Sequence, residues 1–259
     1  MKILLKNIHI KKLVEMLDVN EYSDEDVSIV DKFKIKKTLS NTIFDDYNKM
    51  HENVRKKLLE IADEFIEYIG IKFFIHDIVL SGSLATYNWS EYSDLDLHIM
   101  VDFENSKYGE EMMKEFFSAK RTAWNNLHEI KIKNIDVELY VQDVNEEHVS
   151  SGIYSILKNK WITKPEIEKP KINKTKILQK SDDFINQYNK LLKKSQKKDV
   201  SNDIDKLIKK LQKFRKCGLS KNGEFSYENL TFKLLRRNGY IEKCIDLKNN
   251  SIDKKLSIK

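Results

Sequence analysis

The chain has 259 residues, 40% hydrophobic and 34% charged, with 7 Gly and 2 Pro, a composition that builds a packed core and excludes a disordered chain. Its net charge of +6 conceals −10 over residues 1–150 and +16 over residues 151–259, which divides an acidic half that can gather metal ions from a basic half that can hold polyphosphate or nucleic acid. Two distant cysteines, Cys217 and Cys244, exclude a disulfide framework and a cysteine zinc site, and no window approaches 18 apolar residues, which excludes a membrane span.

The start, MKILLKNIHIKKLVEMLD, carries a charge every few residues and no small-residue cleavage site, so it is a poor signal peptide. A soluble cytoplasmic chain is expected, and residues 1–40 are set apart as an N-terminal extension. From Thr42 to Tyr68, apolar residues recur at three- and four-residue spacing, which predicts a helix stopped by Gly70. FFIHDIVL (73–80) predicts a strand, broken by Ser81-Gly82-Ser83. LDLHIMV (95–101) predicts a second strand. Residues 108–128 predict a helix with Met112, Phe116, Ala119, Ala123 and Leu127 on one side. IDVELYVQ (135–142) alternates apolar and polar, as a half-buried strand does, and IYSIL (153–157) predicts a short edge strand.

Both prolines fall in KPEIEKPKINKTK, which marks a linker over 163–173. Beyond it the periodicity is helical at 175–195, 202–216 and 226–247, with GLSKNG as the stop between the last two. The expected architecture is α+β: a catalytic domain over 41–162 and a basic helical C-terminal domain over 174–259.

Chemistry concentrates in LSGSLATYNWSEYSDLDLHIMV (80–101). Asp94 and Asp96 are two apart in a strand and therefore share a face. Paired carboxylates repel and are costly to bury, and a divalent cation offsets that cost. Mg²⁺ takes one or two protein carboxylates plus substrate phosphates, which suits this spacing. Alone, a DxD is also found on solvated strand faces. Gly82, in a turn after a strand, allows backbone to approach a phosphate closely, with Ser83 beside it. Alone, it is an ordinary turn glycine.

Together, Gly82-Ser83, ten residues, and then Asp94-Leu95-Asp96 opening an apolar strand resemble the signature of the DNA polymerase β-like nucleotidyltransferase superfamily. The resemblance covers about 78–102 directly and extends to about 160 with the next helix and strand. It implies a small mixed sheet with flanking helices, followed by a helical domain that closes over the nucleotide. It implies that Gly82 and Ser83 hold a triphosphate, and that Asp94 and Asp96 ligate two Mg²⁺ ions, with Mn²⁺ as a substitute. It also implies a third carboxylate on a neighbouring strand. Asp136 and Glu138 both qualify by spacing. Glu138 is preferred, because it lies nearer the middle of its run and some branches of the superfamily use Glu there.

The expected activity is transfer of a nucleoside monophosphate from an NTP to an acceptor hydroxyl of RNA, protein or a small molecule. The alternative is a non-catalytic nucleotide- or RNA-binding module of the same fold. Lys233, Arg236 and Arg237, clustered within about one helical turn, are candidates to meet the triphosphate or an RNA acceptor. His98 shares the face of the two aspartates and is read as a hydrogen-bonded core residue. Ser93 is read as a turn residue. Tyr87, Asn88 and Trp89 either edge a base or pack at the rim. Lys120 and Arg121 are read as solvated.

Overall fold

The computed structural model describes residues 23–104, 109–146, 150–167 and 170–258. The signal-peptide reading, and most of the expected N-terminal extension, lie outside the described residues. Those residues form a mixed α+β fold with six strands and seven helices. No helix among them is long and apolar enough to cross a membrane.

The first helix, α1 (Asp24–Asp31), is capped by Ser23, whose hydroxyl accepts the Asp26 N–H. Residues 41–51 then make a tight turn rather than the start of a helix. Phe44 and Met50 form a bridge, and the Asp45 carboxylate accepts the N–H groups of Tyr47 and Lys49. Helix α2 therefore runs Glu52–Ile69, ending at Gly70 in the left-handed region (φ 77°), as the sequence predicted.

The sheet strands are β1 (Ile75–Ser81), β2 (Leu95–Val101), β3 (Lys131–Ile132), β4 (Ile135–Asp143), β5 (Ile153–Ser155) and β6 (Lys160–Thr163). Their order is β3-β4-β2-β1-β5-β6. The β2–β4 pair is parallel and the others are antiparallel, so the sheet is mixed. A parallel pair needs a crossover, and helix α3 (Glu110–Leu127) supplies it. The strand expected at the edge, β5, instead lies between β1 and β6; the unforeseen β6 takes the edge.

Alternation sorts the strands into two faces. Leu80, Leu95, Leu97, Ile99 and Leu139 are wholly buried against Leu58, Ile61 and Phe65 of α2 and Met113, Phe117 and Trp124 of α3. The buried face of α3 is one residue out of the expected register, leaving Met112 and Leu127 exposed.

The basic half folds as α4 (Lys174–Ser195), α5 (Ser201–Asn222), α6 (Tyr227–Arg237) and α7 (Tyr240–Leu256). Helix α5 runs past Gly218 and ends at Asn222, capped by Gly223 (φ 69°), at the far end of the expected stop, and the last expected helix breaks at Asn238-Gly239. Phe184, Ile204, Leu207, Leu211, Leu235 and Leu247 form its core. Helix α1 belongs with this half: Ile29, Val30 and Phe33 pack on Ile177, Leu178, Leu230 and Leu234. Both cysteines are free thiols.

Candidate active site

Three strands bring one residue each into a single row on the open face. Ser81 of β1 pairs with Asp96 of β2, and Asp96 pairs with Glu138 of β4. The next row on the same face joins Val79, His98 and Tyr140. Parallel pairing of β2 with β4 therefore delivers Glu138, and not Asp136, to the two aspartates. Asp136 is mostly exposed, and its carboxylate pairs with Lys131 on β3 at 2.7 Å.

Gly82 has φ 72° and ψ −163°, and a Cβ there would stand 1.8 Å from the Asp96 Oδ2. Only glycine lets the turn lie against that carboxylate. Ser83 opens a short 3₁₀ turn, and its hydroxyl donates to the Ser93 Oγ at 2.8 Å. Ser93 also accepts the Ser90 N–H at 2.9 Å. The serine before the aspartates thus ties the two loops together, as a turn residue does.

The carboxylates are short of counter-charge. Burial first, and then Asp94 and Glu138, push the Asp96 carboxyl up to about 7. Burial, aided by Asp94, also raises Glu138, against the lowering effect of a hydrogen bond from the Tyr140 hydroxyl. Hard oxygen donors of this kind fit Mg²⁺, which keeps open positions for substrate phosphates. Among the described residues, no three His, Cys, Asp or Glu side chains converge closely enough to cage an ion unaided.

Facing Asp94 and Asp96 across a cleft of about 480 Å³ are cations from the helical half, Arg215, Lys233 and Arg236, while Glu138 lines an adjoining hollow that shares Arg121 and Tyr140 with the cleft. Arg236 reaches Asp94 at 3.4 Å (Nη2 to Oδ1). Burial alone would depress Arg236, but Asp94, Glu138 and Asp96 more than offset it and hold it above its ordinary value. Burial, and then the neighbouring arginines against the opposing pull of Glu224, lower Lys233. Arg215 is lowered by burial and then by Arg236. It donates to the Asn229 Oδ1 at 3.1 Å and lies over the Phe232 ring. Self-repelling cations of this density, half withdrawn from water, form a natural seat for a polyanion.

One expected cation sits elsewhere. Arg237 donates to the Ser90 Oγ at 2.9 Å and lies against the rings of Tyr92 and Phe33. It joins α6 to the loop before β2 instead of lining the cleft. Lys120 donates to the Tyr68 carbonyl and lies away from the cleft. Arg121 lines the cleft, with its guanidinium 5.2 Å from the Tyr140 ring centre. Tyr87 and Trp89 pack on the core, and Trp89 donates to the Thr38 carbonyl. His98 stacks on Tyr140 and bonds Gln142 through Nδ1 at 2.8 Å.

Sequence reasoning missed Arg215 and Tyr140. The signal for Arg215 was present: it lies four residues beyond Leu211 and eight beyond Leu207, on the apolar face of its helix. A cation at a core position needs an anion. No family model, curated protein or solved structure matches the chain.

Proposed function

We propose that the chain is a metal-dependent nucleotidyltransferase, resembling the DNA polymerase β-like superfamily, that moves a nucleoside monophosphate from an NTP to an acceptor hydroxyl and releases pyrophosphate. The observation that carries this reading is one cleft in which Gly82 fits against Asp96 while Lys233 and Arg236 face the same space. A row of carboxylates on one wall and cations on the other is what a metal–triphosphate complex requires.

Asp94, Asp96 and Glu138 would hold Mg²⁺ or Mn²⁺. The bound metal would supply charge neutralisation at the phosphate under attack and at the leaving oxygens. The backbone N–H groups around Gly82 and Ser83 bind phosphate oxygens, with the Ser83 hydroxyl turning from Ser93 to join them. Lys233, Arg236 and Arg215 neutralise the triphosphate and steady the departing pyrophosphate. Arg236 exchanges Asp94 for phosphate when the substrate enters, and the length of its present ion pair favours that exchange. Glu138 accepts the proton of the attacking hydroxyl.

The test is incubation with each α-labelled NTP, Mg²⁺ or Mn²⁺, and separate tRNA, total RNA and protein fractions. Pyrophosphate release coupled to label in one fraction is expected. Metal-dependent NTP binding without transfer would leave only a binding module, and absence of both would end the reading.

A further inference from the structure

The acceptor hydroxyl of a nucleotidyl transfer must touch the general base and lie beside the reacting phosphate. One hydroxyl of the chain already meets the first condition. The Tyr140 Oη donates to the Glu138 Oε2 at 2.5 Å. Tyr140 lines the same cleft as Gly82, Ser83, Asp94 and Asp96, one row along the open face from Asp96 and Glu138. Its ring is held in place: His98 stacks on it with centres 4.9 Å apart and 20° between planes, and the Arg121 guanidinium lies over it. A phenol fixed in this way keeps its oxygen at one position, which is the entropic advantage of an intramolecular reaction. Of the other hydroxyls that line the cleft, Ser83 donates to the Ser93 Oγ, Ser150 donates to the Gly152 carbonyl, and Ser81 is separated from Glu138 by the intervening strand β2.

We propose that Tyr140 is itself an acceptor, so that the chain places a nucleoside monophosphate on its own β4 strand. This rests on the nucleotidyltransferase reading above and adds a covalent modification site to it. The Tyr140 oxygen forms a bond to the α-phosphorus of the NTP. The bond from that phosphorus to the bridging α–β oxygen breaks, and its electron pair leaves with pyrophosphate. The phenolic proton passes to Glu138. Atoms and charge balance with the NTP as the only co-reactant. The marked strand then fills the cleft with its own product, which limits further turnover.

The experiment uses the full chain with ATP, GTP, CTP or UTP and Mg²⁺, read by intact mass and peptide mapping. The expected result is a gain of one nucleoside monophosphate, mapped to Tyr140, and lost in Tyr140→Phe and in Glu138→Gln. Calorimetry with the same nucleotide and Mg²⁺ runs in parallel on the same preparations. Nucleotide binding without a mass gain, or a mark on any other residue, overturns the Tyr140 assignment and leaves the wider reading standing. Neither binding nor a mark overturns both. If the hydroxyl serves only to orient Glu138, the wild-type chain stays at its unmodified mass.

Discussion

The two faces of strand β2 spend their residues in opposite ways. Leu95, Leu97 and Ile99 are wholly buried against α2 and α3, and each contributes about 1.5–3 kcal/mol of apolar burial to the fold. Asp96 and His98, interleaved with them, look into a cleft whose other wall is built from residues more than a hundred positions later. There Asp96 is pushed up to about 7 by burial and by its acidic neighbours, so the cleft face gives back part of the stability that the core face adds. Groups that cost the empty protein energy are those a charged substrate would relieve.

Asp96→Asn separates the two faces most sharply. Nucleotidyl transfer is expected to fall on the order of 10³-fold, as when a key electrostatic group is removed from a reacting centre. The same substitution should stabilise the nucleotide-free chain. The folded carboxyl titrates near 7 and the unfolded one near its ordinary value of 3.8. Below the lower value both states hold the proton and Asp96 costs nothing. As pH rises from about 4 to 7 the unfolded chain loses its proton first, so wild-type stability drops relative to the variant, and above 7 the gap is constant. That gap is on the order of 2–4 kcal/mol. Urea titrations in EDTA across this range measure it, and a gap that stays flat with pH would remove the repulsion argument.

Gly82→Ala attacks the point where the turn meets the acid. The substituted residue keeps a left-handed φ of 72° and drives its Cβ into the Asp96 carboxylate. Stability should fall by about 1–3 kcal/mol. Transfer should fall about 10²-fold because Asp96 is displaced by about an ångström. A variant with wild-type rates would show that the close approach is not used.

Lys233→Met mirrors Asp96→Asn on the opposite wall. It removes a buried amine crowded by arginines, so the empty fold should hold or gain stability. Its affinity for NTP should fall about 10- to 100-fold through the lost charge. Thermal melts and equilibrium NTP binding check the two halves of that forecast. Loss of stability together with unchanged binding would make Lys233 a structural residue.

The two faces were also unequally legible in the sequence. Period-two alternation in DLDLHI and IDVELYVQ fixed which residues share a face, and the Gly-Ser turn pointed to the same end of the sheet. The turn at 41–51 was hidden because Ile43 and Met50 continue the spacing of α2, although Tyr47 between them is 91% exposed. The doublets Met112-Met113 and Phe116-Phe117 fit two helix registers equally well, and Trp124 decides between them by burial on the core. Gly218 looked like a helix stop. It is a close-packing glycine instead, because a Cβ there would stand 2.5 Å from that of Glu228 on α6. Close approach between distant segments leaves no local pattern. For the same reason the cationic wall was only half visible: Lys233 and Arg236 lie one turn apart on one helix, while Arg215 joins them through tertiary packing.

Arg237 offers the smallest expected effect on nucleotide binding and transfer, and tests what holds the two walls at their distance. It belongs to the helix that carries Lys233 and Arg236, yet its guanidinium leaves the cleft for the Ser90 hydroxyl and the rings of Tyr92 and Phe33. Burial, and then Arg236, lower it to about 10, and it stays cationic at neutral pH. Two ring contacts at about 0.5–1 kcal/mol each, with one hydrogen bond of about 0.5–1.5 kcal/mol, predict a loss of about 1.5–3.5 kcal/mol in Arg237→Ala. Lysine keeps the charge but not the flat contact with the rings, so Arg237→Lys should recover little of that loss. Because the contact joins the segment after α1, the loop before β2 and α6, the variant should loosen the helical wall against the sheet. NTP affinity should then drop about two- to fivefold while transfer from bound NTP stays near wild type. Equal losses in binding and transfer would instead move Arg237 from the frame of the cleft into its chemistry.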